Sequence, residues 1–307
     1  MNYEKKIKTL KSCAALVSVL TSIILCIIKA VAVYFTSSLS ILSSTIDSLT
    51  DVLSSMVTFI AIKYSNKPLN SMHRYGYGKA ESVSALLQAI FIASSGAFIF
   101  YDGIKRFITP VVIKQTNIGI IIMFISLLFT CTLIILQNYV IRQTNSEAIK
   151  ADRAHYFVDL LTNISILISL SIVHYYNLYW LDILIAVIIA VYLIFNALKI
   201  AYDALSEITD KEVDNDVKIK IINIINNEPE VKGFHDFRTR VSGIRMFIEV
   251  HLEFDGELSL LKIHSVSEHI ENQIISLFPT AQILIHQDPY GIKENRLDHE
   301  ISGKCDI

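Results

Sequence analysis

The chain has 307 residues, of which 52% are hydrophobic and only 18% charged, with a mean hydropathy of +0.48. Soluble domains carry about 25% charged residues, so a wholly soluble protein is not expected. Charge is also partitioned, with a net +6 over residues 1–203 and −8 over residues 204–307. An acidic tail has the wrong sign for a nucleic-acid partner.

A membrane-crossing helix needs roughly 20 mostly apolar residues. Six windows meet that: Ala14–Phe35, Leu39–Ile62, Val83–Tyr101, Ile118–Tyr139, His155–Tyr175 and Trp180–Tyr202. Lys5, Lys6, Lys8 and Lys11 precede the first, as in a signal peptide. Its apolar stretch is too long for a cleaved segment and no A-x-A-like site follows, so a retained span is expected. Tyr34, Tyr101, Tyr139, Tyr175, Tyr179 and Trp180 sit at span ends, where interfacial anchors belong. Lys63, Lys67, Arg74, Lys79, Arg142, Lys150 and Arg153 fall on the same side as the N-terminal lysines, which predicts both termini in the cytoplasm. Lys105, Arg106 and Lys114 dissent.

After the spans the pattern becomes α-β-β-α-β. Val213–Asn226 has helical apolar spacing, and strands at Phe234–Val241 and Ile244–Phe254 flank a Ser242-Gly243 turn signal. An amphipathic helix at Leu260–Phe278 and a strand at Ala281–Asp288 complete a small α+β sandwich. The expected organisation is a transmembrane domain (1–205), a cytoplasmic domain (206–290) and a polar, frayed tail (291–307). Cys13, Cys26, Cys131 and Cys305 form no CxxC pair and suggest neither disulfides nor a thiolate metal site.

Span two holds Asp47 and Asp51 well inside its apolar window. A carboxylate at a helix centre costs about 2.5–3.5 kcal/mol on insertion scales. The i, i+4 spacing stacks the pair on one helix face, where like charges repel unless a cation or proton joins them. Span five repeats the device with His155 and Asp159. Together the four residues make an O/N donor set of the kind that holds a divalent ion tetrahedrally. In the tail, Glu249, His251 and Glu253 share one strand face, and His286 and Asp288 share another. With His235 and His264 they form a second candidate metal cluster.

With these residues the chain resembles the cation diffusion facilitator family, in particular its bacterial zinc and ferrous-iron exporters. The likeness rests on Ser40-Ile41-Leu42, Asp47-Ser48-Leu49, Asp51, the run Arg74 to Glu81, His155–Asp159 and His286-Gln287-Asp288-Pro289. It implies a homodimer in a bacterial inner membrane that exports divalent metal in exchange for protons, with Asp47, Asp51, His155 and Asp159 as the transport site. A histidine in the span-five pair implies zinc or cadmium rather than manganese. It further implies a two-metal cytoplasmic site at His235, His251, His264, His286 and Asp288 that presses two tails together. No organic cofactor is implied.

The family's third metal site, an Asp and two His, corresponds here to Asn70, His73 and Tyr77, a poor donor set that predicts an absent or weak site. His269 and His299 match no family position. Lys29 lies near enough to a span end to snorkel. Lys79 matches a lysine that the family uses in a charge interlock, with Asp203, Glu207 or Asp210 as candidate partners. Loading metal requires deprotonated ligands, so metal and protons displace one another. His155, with an ordinary pKa near 6.5, is the expected pH-sensitive member. No H-E-x-x-H or G-x-S-x-G motif supports an enzyme. Ferrous iron as cargo, or a membrane-anchored metal sensor, are the alternatives, and mid-membrane carboxylates argue against the sensor.

Overall fold

A computed structural model describes residues 2–36, 39–108, 117–176, 179–292, 296 and 298. Cys305, His299 and the dissenting Lys114 lie outside them. Each expected span falls within a helix: α1 (Asn2–Thr36), α2 (Leu39–Ser65), α3 (Ala80–Ile108), α4 (Asn117–Thr144), α5 (Glu147–Tyr176) and α6 (Tyr179–Ile208). At 1.5 Å per residue, their 27–35 residues make helices of about 40–50 Å, longer than the roughly 30 Å hydrocarbon layer.

The helices overrun the apolar windows because their polar ends are good helix formers. α5 starts at Glu147, eight residues before its window, and Lys150 pairs with Glu147 at 2.7 Å. Stretches of α1, α3, α4 and α6 are long and apolar enough to cross a membrane. α2 and α5 are diluted by Ser, Thr and acidic residues. On α1, Leu16, Leu20, Ile23, Ile27 and Val31 form an exposed apolar stripe at helical spacing, the surface that lipid covers.

Residues 4–205 form one compact unit and 206–307 another. Within the first, α5 packs against α2, α3 and α4. α3 and α6 cross closely at Gly96, where an added Cβ would stand 3.1 Å from Ile194 and 3.2 Å from Leu193. Small residues permit such approaches between membrane helices. Asn145, with φ of 48°, caps α4 and turns the chain into α5 within two residues.

That turn helps bury a charge. Lys11 of α1 and Glu81 at the start of α3 form an ion pair whose side chains are 1% and 2% exposed. Glu81 also accepts from Ser65 Oγ, at 2.8 Å, and from Ser146 Oγ. The pair thus ties α1, α2, α3 and the α4–α5 turn at the end of the bundle that carries the chain's N-terminus.

In the second unit, α7 (Asn215–Asn226), β1 (Val231–Ser242), β2 (Arg245–Phe254), α8 (Leu260–Leu277) and β3 (Ala281–Pro289) follow the expected order. The sheet order is β1-β2-β3, with β1/β2 antiparallel and β2/β3 parallel across the α8 crossover. Gly243 takes φ of 62° at the first position of the two-residue hairpin, a conformation that glycine adopts without strain. Ile248, Val250, Leu252 and Phe254 of β2 pack against Ile221 and Ile225 of α7 and Val266, Ile270 and Ile274 of α8. Both helices therefore cover one face of the sheet, and the alternate residues of β2 point to the other.

Breaking the Lys11–Glu81 pair at one partner strands a buried charge, at a cost of about 3–5 kcal/mol. Glu81→Leu is therefore expected to lower the thermal unfolding midpoint of the detergent-solubilised protein strongly. The Lys11→Met/Glu81→Leu double variant should recover much of the loss, and melting curves of the two compare them directly.

Candidate metal centres

The first centre lies between α2 and α5. His155 Nε2 stands 3.1 Å from Asp51 Oδ1 and 4.0 Å from Asp159 Oδ2. One ligand atom from each of Asp51, His155 and Asp159 lies within 4.8 Å of the others. His155 is buried, Asp51 and Asp159 are partly so, and Asp47 is exposed one turn along α2. The structure thus brings three of the four expected residues together and leaves Asp47 beside them. His155 Nδ1 is buried without a hydrogen-bond partner among the described residues.

Polar side chains frame this centre. The Tyr156 hydroxyl lies 2.6 Å from Ser55 Oγ and donates to the Ser18 carbonyl at 3.2 Å. Gln137 Nε2 donates to Asp152 Oδ2 at 2.8 Å and to Ser18 Oγ at 3.0 Å. Gln88 Nε2 donates to Thr58 Oγ1 and the Ser54 carbonyl, and Ser54 Oγ donates back at 2.6 Å. These bonds explain the Ser and Thr content of α2: it forms polar seams with α3 and α5. Lys29 Nζ donates to Ser48 Oγ at 2.6 Å, so its head turns to α2 rather than simply snorkelling along α1.

The second centre is built by strand register. His235, His251 and His286 are direct cross-strand neighbours, one on each strand, with ring centroids 5.0 Å and 4.5 Å apart. Gly233, Glu253 and Asp288 form the next row. Asp288 is the hub. Its Oδ2 lies 2.9 Å from His251 Nδ1 and 3.6 Å from His235 Nε2, and its Oδ1 lies 3.1 Å from His286 Nε2. Two carboxylate oxygens facing separate imidazoles suit a bridging ligand, and the donor chemistry fits zinc. His264 is exposed on α8, across the sheet from this row, and is not brought to it within the chain.

Sequence reasoning put Glu253 on the histidine face without its partner, and it missed Gly233, Asp236, Arg296 and Asp298. Glu253 Oε1 faces His235 Nδ1 at 3.1 Å, the arrangement that orients a metal-binding imidazole. Gly233 makes room for that carboxylate, since a Cβ there would meet Glu253 Oε2 at 3.1 Å. Asp236 sits in a β-bulge with φ of 50°. Arg296 and Asp298 reach back to Glu253 and Asp236. Only the alternation along β2, which puts Glu253 on the face of His251, hinted at any of this.

Elsewhere, Asn70 Nδ2 donates to the Tyr77 hydroxyl at 2.7 Å, Asn70 Oδ1 accepts from the His73 amide, and the His73 ring stacks on Tyr77 at 4.4 Å. The amide and the phenol are thus engaged with each other, and the imidazole lies stacked on the phenol ring. Glu207 accepts from the Gly243 amide and Asp210 pairs with Arg240.

The family model of the cation efflux transmembrane domain matches residues 15–209, and that of the cation efflux protein cytoplasmic domain matches 213–290. The chain belongs to the cation diffusion facilitator family. It is 38% identical to the cation-efflux pump FieF of Cronobacter sakazakii over 92% of this chain and 94% of that one. It is also 38% identical to the same-named pump of Serratia proteamaculans, over 93% and 94%, and to protein p34 of Rickettsia prowazekii, over 91% and 92%. This facilitator is therefore a multi-pass membrane protein of a cation efflux family, with a tail domain of the family's kind. Its efflux-pump relatives are transporters rather than enzymes.

Because one imidazole beside a mutually bonded amide and phenol is a poor zinc donor set, His73→Ala is expected to leave the number of zinc ions bound per chain unchanged. Calorimetric titration of the purified variant beside the parent checks this, and one ion fewer would contradict it.

Proposed function

We propose that this facilitator exports divalent metal from the cytoplasm in exchange for protons, with zinc as the main cargo. The observation that carries the reading is the convergence of Asp51, His155 and Asp159, from two helices, inside an apolar bundle. One imidazole and two carboxylates are a borderline-to-hard donor set that suits Zn²⁺ and also accepts Cd²⁺ and Fe²⁺. Asp47 serves as the fourth ligand, one helical turn from Asp51. A modest rotation or bend of α2 brings its carboxylate to the group.

The exchange follows from competition for the same atoms. With Nε2 protonated, His155 donates to Asp51, and that proton stands where a metal's charge must go. Metal entry displaces it, and proton return from the other side displaces the metal. The polar seams of Ser54, Ser55, Gln88 and Tyr156 give α2 and α5 discrete partners to exchange as the site turns from one side to the other. Both termini lie in the cytoplasm, the protein works as a homodimer in the inner membrane, and the tail's acidic surface draws cations toward it. His235, His251, His286 and Asp288 would hold a resident metal in the tail, with His264 reaching the site of a partner subunit.

Reconstituted vesicles with an internal pH dye test the reading. Zinc is expected to drive proton movement with the parent protein. Asp51→Ala should reduce the signal by at least about tenfold, while the tail cluster still binds metal. Equal rates in parent and variant would reject the mechanism. A comparison of Zn²⁺, Cd²⁺, Fe²⁺ and Mn²⁺ in the same vesicles ranks the cargo.

A further inference from the structure

The histidine row in the tail has a cation of its own. Arg296 forms an ion pair with Glu253, whose side chain is only 8% exposed, through the same Oε1 that faces His235 Nδ1. The chain around Arg296 is fastened by a reciprocal pair of bonds. The Asp236 amide donates to Asp298 Oδ2 at 2.8 Å, and the Asp298 amide donates to Asp236 Oδ1 at 2.9 Å. Asp236 can receive Asp298 because the bulge between His235 and Arg238 lifts it out of the strand pairing with φ of 50°. Asp236 is itself 4% exposed, so this docking is built into the sheet rather than resting on its surface.

We infer that Arg296 is a built-in counter-cation of the tail cluster, seated by the Asp236–Asp298 bonds, and that it competes with divalent metal for the cluster's negative charge. This rests on reading His235, His251, His286 and Asp288 as a metal site. A guanidinium on Glu253 neutralises the buried one of the two carboxylates beside the histidines, Asp288 being partly exposed. It also draws Glu253 away from full engagement with His235 Nδ1, the contact that makes His235 Nε2 a better electron-pair donor to a metal. Metal binding strengthens the His235–Glu253 contact and repels the guanidinium, and a seated guanidinium lowers metal affinity. Metal occupancy therefore loosens Arg296 and Asp298 from the sheet. The Arg296 and Asp298 contacts are a reporter of tail metal as well as a brake on it.

Zinc titration of the full chain in detergent tests this, with His251→Ala/Asp288→Ala as the control that identifies the ions held by the cluster. If that control loses no ions, the metal-site reading itself fails. If it does lose them, Arg296→Ala and Asp298→Ala are each expected to tighten the cluster's zinc, by roughly tenfold for loss of one positive charge at this range. Arg296→Glu should tighten it further, an order that follows charge and not mere packing. In the parent, hydrogen exchange at the Asp236 and Asp298 amides should speed up when zinc is added. Unchanged or weaker zinc binding in the Arg296 and Asp298 variants, or amides that zinc leaves equally protected, would overturn the inference while sparing the metal site.

Discussion

A carboxylate placed among apolar helices must be compensated, and this single requirement organises the membrane domain. Asp51 meets it with His155, 3.1 Å away on another helix. To hold that contact, α2 and α5 must stay in register, which the Ser55–Tyr156 hydroxyl pair fixes directly, while Ser54 and the Gln88 amide anchor α2 to α3. Removing charge from water is costly unless geometry and hydrogen bonding are good. The polar residues of α2 are the means of meeting that cost within a bundle that otherwise presents Leu, Ile and Phe to lipid.

Lys11 and Glu81 solve the same problem differently. They are fully matched in charge and capped by two serines. Their pair closes on itself, whereas Asp51, His155 and Asp159 carry unequal charge and leave His155 Nδ1 without a partner among the described residues. A matched, saturated pair resists change. A mismatched, unsaturated group responds to what arrives, which is what the proposed transport role requires.

Periodicity alone makes the main features legible in the sequence. Carboxylates and a histidine at i, i+4 in two apolar windows locate the membrane centre, and alternation along Ile248 to Phe254 separates core from histidine face. The Ser242-Gly243 turn fixes the hairpin. What escapes depends on which element meets which. Nothing local in Lys11 names Glu81, 70 residues away, as its partner. The Asp236 bulge arises from a one-residue excess in β1 opposite β2. Arg296 and Asp298 lie in a polar stretch whose composition resembles any unengaged tail, and only the carboxylates and amides they meet give them a role. Asp47 and His264 fit the pattern of ligands yet stand apart in a single chain, because helix spacing and strand alternation specify a face but not what comes to it.

The two centres also differ in how they would survive a change of chain length. One residue inserted in β2 ahead of His251 would carry every following side chain to the opposite face. His251 would enter the helical side and Leu252 would surface, so the row would vanish together with the core. One residue inserted in α5 between His155 and Asp159 would swing Asp159 and the rest of the helix about 100° round its axis. The sheet face therefore ties its ligands to its own folding in a single stroke, while in the helical centre Asp51 and His155, which precede the insertion, would keep their contact. Divergence in length should accumulate accordingly at the loops that flank β2 and at the ends of the membrane helices, and not within either centre.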